Sequence, residues 1–204
     1  MRKSSILIAV IGLIFSFAGS PVKNGYEVGD KVEDFKLKGV DGKMMSLADH
    51  EEAKGFIVIF DSNTCPYSKA YLKRIKALNE MYADKGYPVV AINSNDPKRS
   101  PGDTFDEMVS YAKENGYEHA YLYDADQSVA KRFGATNTPH VYVLTKEGGN
   151  MVINYIGAID NNTKDASAAD KKYVEDAVNA LMKGNKPSVT KTKAIGCTIK
   201  WKAA

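Results

Sequence analysis

The sequence predicts an α/β domain of three layers: a central mixed sheet flanked by helices, with a β-hairpin extension at its N-terminal side. Short apolar runs of strand length alternate with longer stretches of helical periodicity, the pattern of a layered α/β domain. The runs Phe56–Asp61 and Val89–Ile92 are continuously apolar rather than alternating, as parallel strands covered on both faces must be. The last two strand patterns, His140–Leu144 and Val152–Ile156, are joined by a Lys146–Asn150 turn that is too short for a crossover, so they pair antiparallel.

The elements follow in order. Asp34–Lys38 and Met44–Leu47 read as short strands around a turn at Val40–Lys43. From Tyr67, apolar positions Tyr71, Ile75, Leu78 and Tyr82 recur at helical spacing, and Lys85-Gly86 ends the helix. Asn93–Asp103 is a long polar loop at the sheet edge where active-site loops gather. Thr104 caps a helix running to Glu114, and Asn115-Gly116 closes it. Tyr121–Tyr123 is a strand, Asp126–Phe133 a short helix closed by Gly134, and Tyr173–Leu181 a last helix stopping at Gly184.

The N-terminus carries a different signal. Arg2 and Lys3 precede an apolar run, Ile6–Ala18, that is too short to span hydrocarbon roughly 30 Å thick. A basic start, a short apolar middle and small residues at the end describe a secretory signal peptide, residues 1–18, with Ser16 and Ala18 before the cut. An uncleaved anchor is the alternative, and the absence of a cysteine near the cut excludes a lipoprotein anchor. On either reading the rest of the chain is exported, to a periplasm or the outside, with no stable membrane span after cleavage. Residues 26–204 then form one domain including the C-terminal tail.

Charge narrows the function class. Without Arg2 and Lys3 the chain has 26 basic residues (28 less those two) against 25 acidic ones, and no basic cluster is interleaved with aromatics, so nucleic acid is not an expected partner. No glycine-rich phosphate loop follows a strand, which argues against nucleotide binding. His50 and His119 form no Cys/His cluster with metal spacing; neither metal nor cofactor is expected. Both cysteines survive signal cleavage, into a compartment where disulfides persist.

Cys65 is the first candidate. It follows a buried strand and a polar turn and stands, with Pro66, at the start of a helix, where free N–H groups and the helix dipole favour the thiolate. It reads either as a nucleophile with a lowered pKa or as a small buried apolar residue. Phe60–Lys69 resembles the active-site segment of thioredoxin-fold proteins, and Thr138-Pro139 resembles that fold's cis-proline loop. The segments Asn63–Tyr67, Tyr121–Asp124, Val129–Gly134, Gly157–Asp160 and Ile195–Trp201 extend the likeness to peroxiredoxin-like thioredoxin-family proteins of the alkyl hydroperoxide reductase and thiol-specific antioxidant superfamily. It runs from about Val28 to Lys202 and implies a thioredoxin-like fold and thiol–disulfide oxidoreductase chemistry on protein or small-thiol disulfides. Thr138, Pro139 and His140 would form the substrate-binding loop, with Thr138 and Pro139 holding a partner's extended backbone beside Cys65.

Departures from the family pattern shape the mechanism. Ser68 stands where Cys-x-x-Cys has its second cysteine, and Ser62 and Asn137 stand where relatives often carry cysteine. Cys65 therefore works alone, with small thiols, or with Cys197. Cys197 reads either as a small apolar residue in a half-buried terminal strand with Ile195, Ile199 and Trp201, or as a resolving cysteine brought to Cys65 by the tail. A permanent bond between them would instead make a structural staple in a non-catalytic binding module. A peroxidase reading is weaker: Val58 replaces the expected proline, and Arg132 lies on a helix where a solvated role is expected. His140 is either an imidazolium that lowers the Cys65 pKa or an outward-facing polar residue.

Overall fold

The computed structural model describes residues 25–203, so the expected signal peptide lies outside the described residues. Strand β1 (Lys31–Val32) leads into the hairpin of β2 (Lys36–Gly39) and β3 (Met44–Ser46). There follow β4 (Gly55–Phe60), α1 (Pro66–Tyr82), β5 (Val89–Asn93), α2 (Phe105–Glu114), β6 (Ala120–Tyr123) and α3 (Ser128–Phe133). The last third comprises β7 (Asn137–Thr138), β8 (His140–Glu147), β9 (Asn150–Gly157), α4 (Tyr173–Met182) and β10 (Cys197–Thr198).

Eight strands form one mixed sheet in the order β1-β9-β8-β4-β5-β6-β2-β3. Its centre, β4-β5-β6, is parallel and fully covered, which is why those strands are apolar without alternation. The flanks are antiparallel: β8 and β9 turn at Gly148-Gly149, both at positive φ, which the tight turn requires and glycine supplies freely. This is the expected α/β thioredoxin-like architecture, with the N-terminal hairpin joined through β2 to β6. The strand ends extend beyond the apolar runs, because ladder hydrogen bonds carry β8 and β9 to the polar turn.

Two cores fill the layers. On one face Ile57, Ile59, Val141 and Val143 pack under Tyr71, Ile75 and Leu78 of α1 and Val174 and Val178 of α4. On the other, Phe56, Phe60 and Tyr142 pack with Phe133 of α3, Leu122 and Ile199. Full burial of one such side chain stabilises by about 1.5–3 kcal/mol. The consequence for the site is orientation: α1 docks by its apolar stripe on the β4/β8 face, and this places its first residue at the end of β4. Among the described residues no helix is long and apolar enough to cross a membrane.

Candidate functional site

Phe60 ends β4 and Asp61–Thr64 turn the chain, leaving Cys65 as the N-cap of α1 with Pro66 in the first turn. The Cys65 side chain makes no cap hydrogen bond, so its sulfur is free for other partners. Its backbone N–H donates to Ser62 Oγ at 3.3 Å, and its Sγ donates to the Thr138 carbonyl at 2.9 Å. The peptide bond Thr138-Pro139 is cis, as the cis-proline resemblance implies.

A second, two-stranded sheet completes the site. β10 pairs antiparallel with β7, setting Cys197 opposite Thr138 and Thr198 opposite Asn137. This register puts the tail across the head of α1 and brings the two thiols into hydrogen-bonding contact; both are free. Burial pushes the Cys65 thiol up, but hydrogen bonds from the Cys197 and Thr138 side chains and from the Ser68 and Cys197 backbone N–H groups outweigh it, and its pKa lies below the ordinary thiol value. Thr138 Oγ1 is buried and has no other partner, so its hydroxyl is available to a thiolate. Cys197 moves the other way, to about 11, through burial and then the Cys65 sulfur beside it; Lys200 and the Tyr67 N–H pull it down. Cys65 is therefore the more acidic thiol of the pair, and Cys197 keeps its proton to higher pH.

Beneath the cysteine lies a polar cluster that the sequence showed only as a polar loop. Asp103 is fully buried and accepts hydrogen bonds from Ser62 Oγ, the Asn63 N–H, Thr64 Oγ1, Asn93 Nδ2, Asn95 Nδ2 and Ser100 Oγ, at 2.6–3.1 Å. Burial alone would raise its carboxyl, but hydrogen bonds from Ser100, Asn95, Thr64 and Asn93 hold it below the usual range. The cluster fixes the turn before Cys65. Asp61, next to it, lacks that support: it is 2% exposed, its Oδ1 has no partner, and burial raises its pKa to about 6 despite help from Ser68 and the Ser62 N–H.

The same loop ties down the tail. Asn95 Oδ1 accepts the Lys200 N–H at 2.8 Å, while Asp96 N and Gln127 Nε2 donate to the Lys200 carbonyl at 2.8 and 2.9 Å. Gln127, at φ +63°, also accepts the Lys202 N–H. Asn137 Nδ2 donates to the Gly196 carbonyl. Asn95, Asp103, Gln127 and Gly196 were not legible as site residues: their roles depend on contacts across 30 or more positions of sequence.

The expectation for His140 is corrected. Alternation along β8 places Val141 on the α1 face and His140 on the opposite one, where its ring packs against Tyr142 at 4.8 Å and Nδ1 accepts the Thr136 N–H. Burial and the charge of Lys191 push its pKa down to about 4, so the ring is neutral and supplies no imidazolium to Cys65. At 8% exposure it is not outward-facing either. The shared face expected for the tail strand is also incomplete. Ile199 is buried and Cys197 half-buried, but Ile195 is 44% exposed because the pairing covers only Cys197 and Thr198. Arg132 pairs with the exposed Glu33 at 3.3 Å, the solvated role expected of it.

Comparison with known proteins places this geometry. No curated protein matches the chain. Among solved structures, a hypothetical protein from Sinorhizobium meliloti 1021 is similar at 32% identity with a TM-score of 0.81, covering 89% of this chain and 98% of that one. An uncharacterized conserved protein from Geobacillus kaustophilus is equally similar, at 32% identity and a TM-score of 0.81 over 89% of this chain and 95% of that one. The thioredoxin domain of a thiol-disulfide oxidoreductase from Bacteroides vulgatus shares the fold at 15% identity and a TM-score of 0.52, covering 65% of this chain and 91% of that one. The model of the AhpC/TSA family matches residues 28–157, a stretch that contains β4, Cys65 and the cis-proline loop. A thioredoxin-type sheet with a thiol at the head of its first long helix, and a match over well over half of the sequence, leave one conclusion: the chain belongs to the AhpC/TSA family of thiol-dependent oxidoreductases.

Proposed function

We propose that the protein is an exported thiol–disulfide oxidoreductase in which Cys65 is the nucleophile and Cys197 resolves the mixed disulfide. The observation that carries this reading is the β7/β10 register, which seats Cys197 opposite Thr138 and against Cys65. Export rests on the basic, then apolar, then small-residue pattern of residues 1–18, with the periplasm or the outside as destination.

The chemistry follows from the opposite shifts of the two thiols. The Cys65 thiolate attacks one sulfur of a substrate disulfide, forming a Cys65 mixed disulfide and releasing one substrate thiol. Before that step the neighbouring Cys65 sulfur helps keep Cys197 protonated. Once Cys65 is capped its negative charge is gone, and Lys200 and the Tyr67 N–H act on Cys197 without that opposition. Its thiolate then attacks Cys65 Sγ, the second substrate thiol leaves, and a Cys65–Cys197 bond remains. Capping of Cys65 thus makes Cys197 easier to deprotonate than before, with burial still opposing. The reverse sequence reduces the chain, and the potential of the partner sets the direction.

The test is alkylation of the native protein with and without mild reductant, followed by mass measurement. A bond that opens under mild reductant and leaves Cys65 fast-reacting supports the oxidoreductase. A bond resistant until unfolding makes the pair a staple in a binding module. In the same assay Cys65→Ser abolishes exchange and Cys197→Ser accumulates mixed disulfides. Intact mass of the exported protein, short by the first 18 residues, checks the signal peptide.

A further inference from the structure

Resting on that reading, we infer that the disulfide attacked by Cys65 belongs to a small molecule rather than to a polypeptide, and that the tail from Gly196 to Lys202 enforces the choice. A polypeptide substrate would be steadied by adding its backbone as a strand beside Thr138, which needs free N–H and C=O groups along that edge. The edge is occupied. Cys197 and Thr198 already pair with Thr138 and Asn137, so the chain's own tail takes the place of the partner strand.

The occupation is firm. Asn95, Asp96 and Gln127 hold Lys200, Gln127 also holds Lys202, and the Ile199 N–H donates to the Thr136 carbonyl at 3.0 Å. Ile199 is 4% exposed in the core, with Trp201 packed against the same cluster. A competing strand would have to lift this side chain out as well as break the ladder. At Gly196 the approach is closest: a Cβ there would sit 2.1 Å from the Thr138 carbonyl oxygen and 2.6 Å from its carbon, both backbone atoms that cannot yield. Gly196 has ordinary φ, so the requirement is proximity alone.

What remains open is narrow. Cys65 is 3% exposed, Cys197 is half-buried above it, and the exposed Tyr67 and Ile195 flank them. A low-molecular-weight disulfide needs no strand position beside Thr138, so it can reach Cys65 with a smaller displacement of the tail than a polypeptide requires. Exchange then balances as described: the small disulfide gains two electrons and two protons in becoming two thiols, and the Cys65–Cys197 bond takes the oxidation. Gly196 and Gln127 are thereby specificity-determining positions that do not touch the reacting sulfurs.

The experiment isolates the first step in a Cys197→Ser background, so that the adduct on Cys65 persists and can be weighed. The probes are hydroxyethyl disulfide and an unstructured peptide carrying the same mixed disulfide on a central cysteine. With the tail in place the peptide should react at least ~30-fold more slowly, equivalent to about 2 kcal/mol. Gly196→Ala, which forces the tail off Thr138, should raise the peptide rate relative to the small-disulfide rate ~10-fold or more, a ratio that cancels any loss of thiolate common to both probes. Gln127→Gly, which removes the tail hydrogen bonds and relieves the positive φ, should act in the same direction if Gly196→Ala fails to fold. Equal rates for both probes with the tail in place overturn the inference. So does an unchanged ratio in a variant whose tail has become sensitive to protease. Absence of any adduct on Cys65 from either probe defeats the thiol-exchange reading itself, and the inference with it.

Discussion

Replacing Cys197 separates its two roles, hydrogen-bond donor and resolving thiol. Among the groups that lower the Cys65 pKa, the Cys197 side chain acts most strongly. A hydrogen bond to a charged acceptor contributes about 1.5–3 kcal/mol, which corresponds to roughly 1–2 pKa units. Cys197→Ala removes the donor, so the Cys65 pKa should rise by that amount. Cys197→Ser keeps an O–H in the same place and should leave the pKa within ~0.5 unit, although both variants lose resolution equally. The assay is the rate of alkylation of Cys65 in reduced protein as a function of pH, whose midpoint reports the thiolate. Below the midpoint, each unit of upward shift slows the reaction ~10-fold at fixed pH. Equal midpoints in wild type, Ala and Ser variants would refute the role of Cys197 as hydrogen-bond donor to Cys65, and with it the coupling of the two thiols.

Other outcomes follow from the groups around the pair. Burial raises the Asp61 pKa from 3.8 to about 6, so its protonated form is favoured on folding and that stability is lost as pH rises between those values. Asp61→Asn should therefore stabilise by up to ~3 kcal/mol at pH 8 and by little at pH 4, measured by urea unfolding at both. Asp103 has the opposite sign: its lowered pKa stabilises above the unfolded value of 3.8 and is lost as pH falls through the folded one. Asp103→Asn should cost ~2–3 kcal/mol or more at pH 7, because the new amide faces donors on every side, and the deficit should shrink in acid, again read by urea. Ser68→Cys in a Cys197→Ser background puts a thiol back beside Cys65, and the pre-reduced variant should complete one round with a small disulfide, releasing both substrate thiols and forming a bond between Cys65 and the introduced thiol; continued accumulation of mixed disulfide would contradict it. Thr138→Val removes a buried, unpartnered hydroxyl that helps lower the Cys65 pKa, and should lower the reduction potential of a Cys65–Cys197 bond by ~20–40 mV in a thiol-buffer titration.

Much of this molecule was legible where local pattern and burial agree. The runs Phe56–Phe60 and Val89–Ile92 are central strands because both faces are covered, and the spacing Tyr71, Ile75, Leu78, Tyr82 is the stripe that docks α1. Cys65 followed from that alone, since a helix after a buried strand must begin at the sheet edge. The two-residue strands β7 and β10 are too short for any period to show, so the contact between Cys197 and Thr138 was open to two readings. Asn95, Asp103 and Gln127 look like ordinary loop polarity until folding gathers them around one carboxylate and one tail. His140 differs from expectation for a simpler reason: its loop lies near Cys65, but alternation along β8 sends neighbouring side chains to opposite faces.

The distance between the cysteines in sequence creates a tension that the local hydrogen bonds oppose. A bond between Cys65 and Cys197 would close a loop of more than a hundred residues and favour the folded chain by up to ~5 kcal/mol in the chain-entropy model. By linkage, the same free energy makes that bond harder to reduce in the folded protein than in the unfolded one. Left alone, this would drive the pair toward a permanent staple. Stabilisation of the Cys65 thiolate works against it, because each pKa unit of depression below the working pH favours the reduced chain by about 1.4 kcal/mol, or about 30 mV in a two-electron couple. Groups that supply this stabilisation, Thr138 Oγ1 and the N–H groups of Ser68 and Cys197, are held by the ladder and the helix rather than by a bond between the sulfurs. Anchoring the tail through Asn95, Asp96 and Gln127 has the same tendency, since the tail stays in place without a covalent bond. Both the electrostatics of Cys65 and the fastening of the tail thus favour the proposed exchange over stapling, and the direction of the Thr138→Val shift tests the first of them.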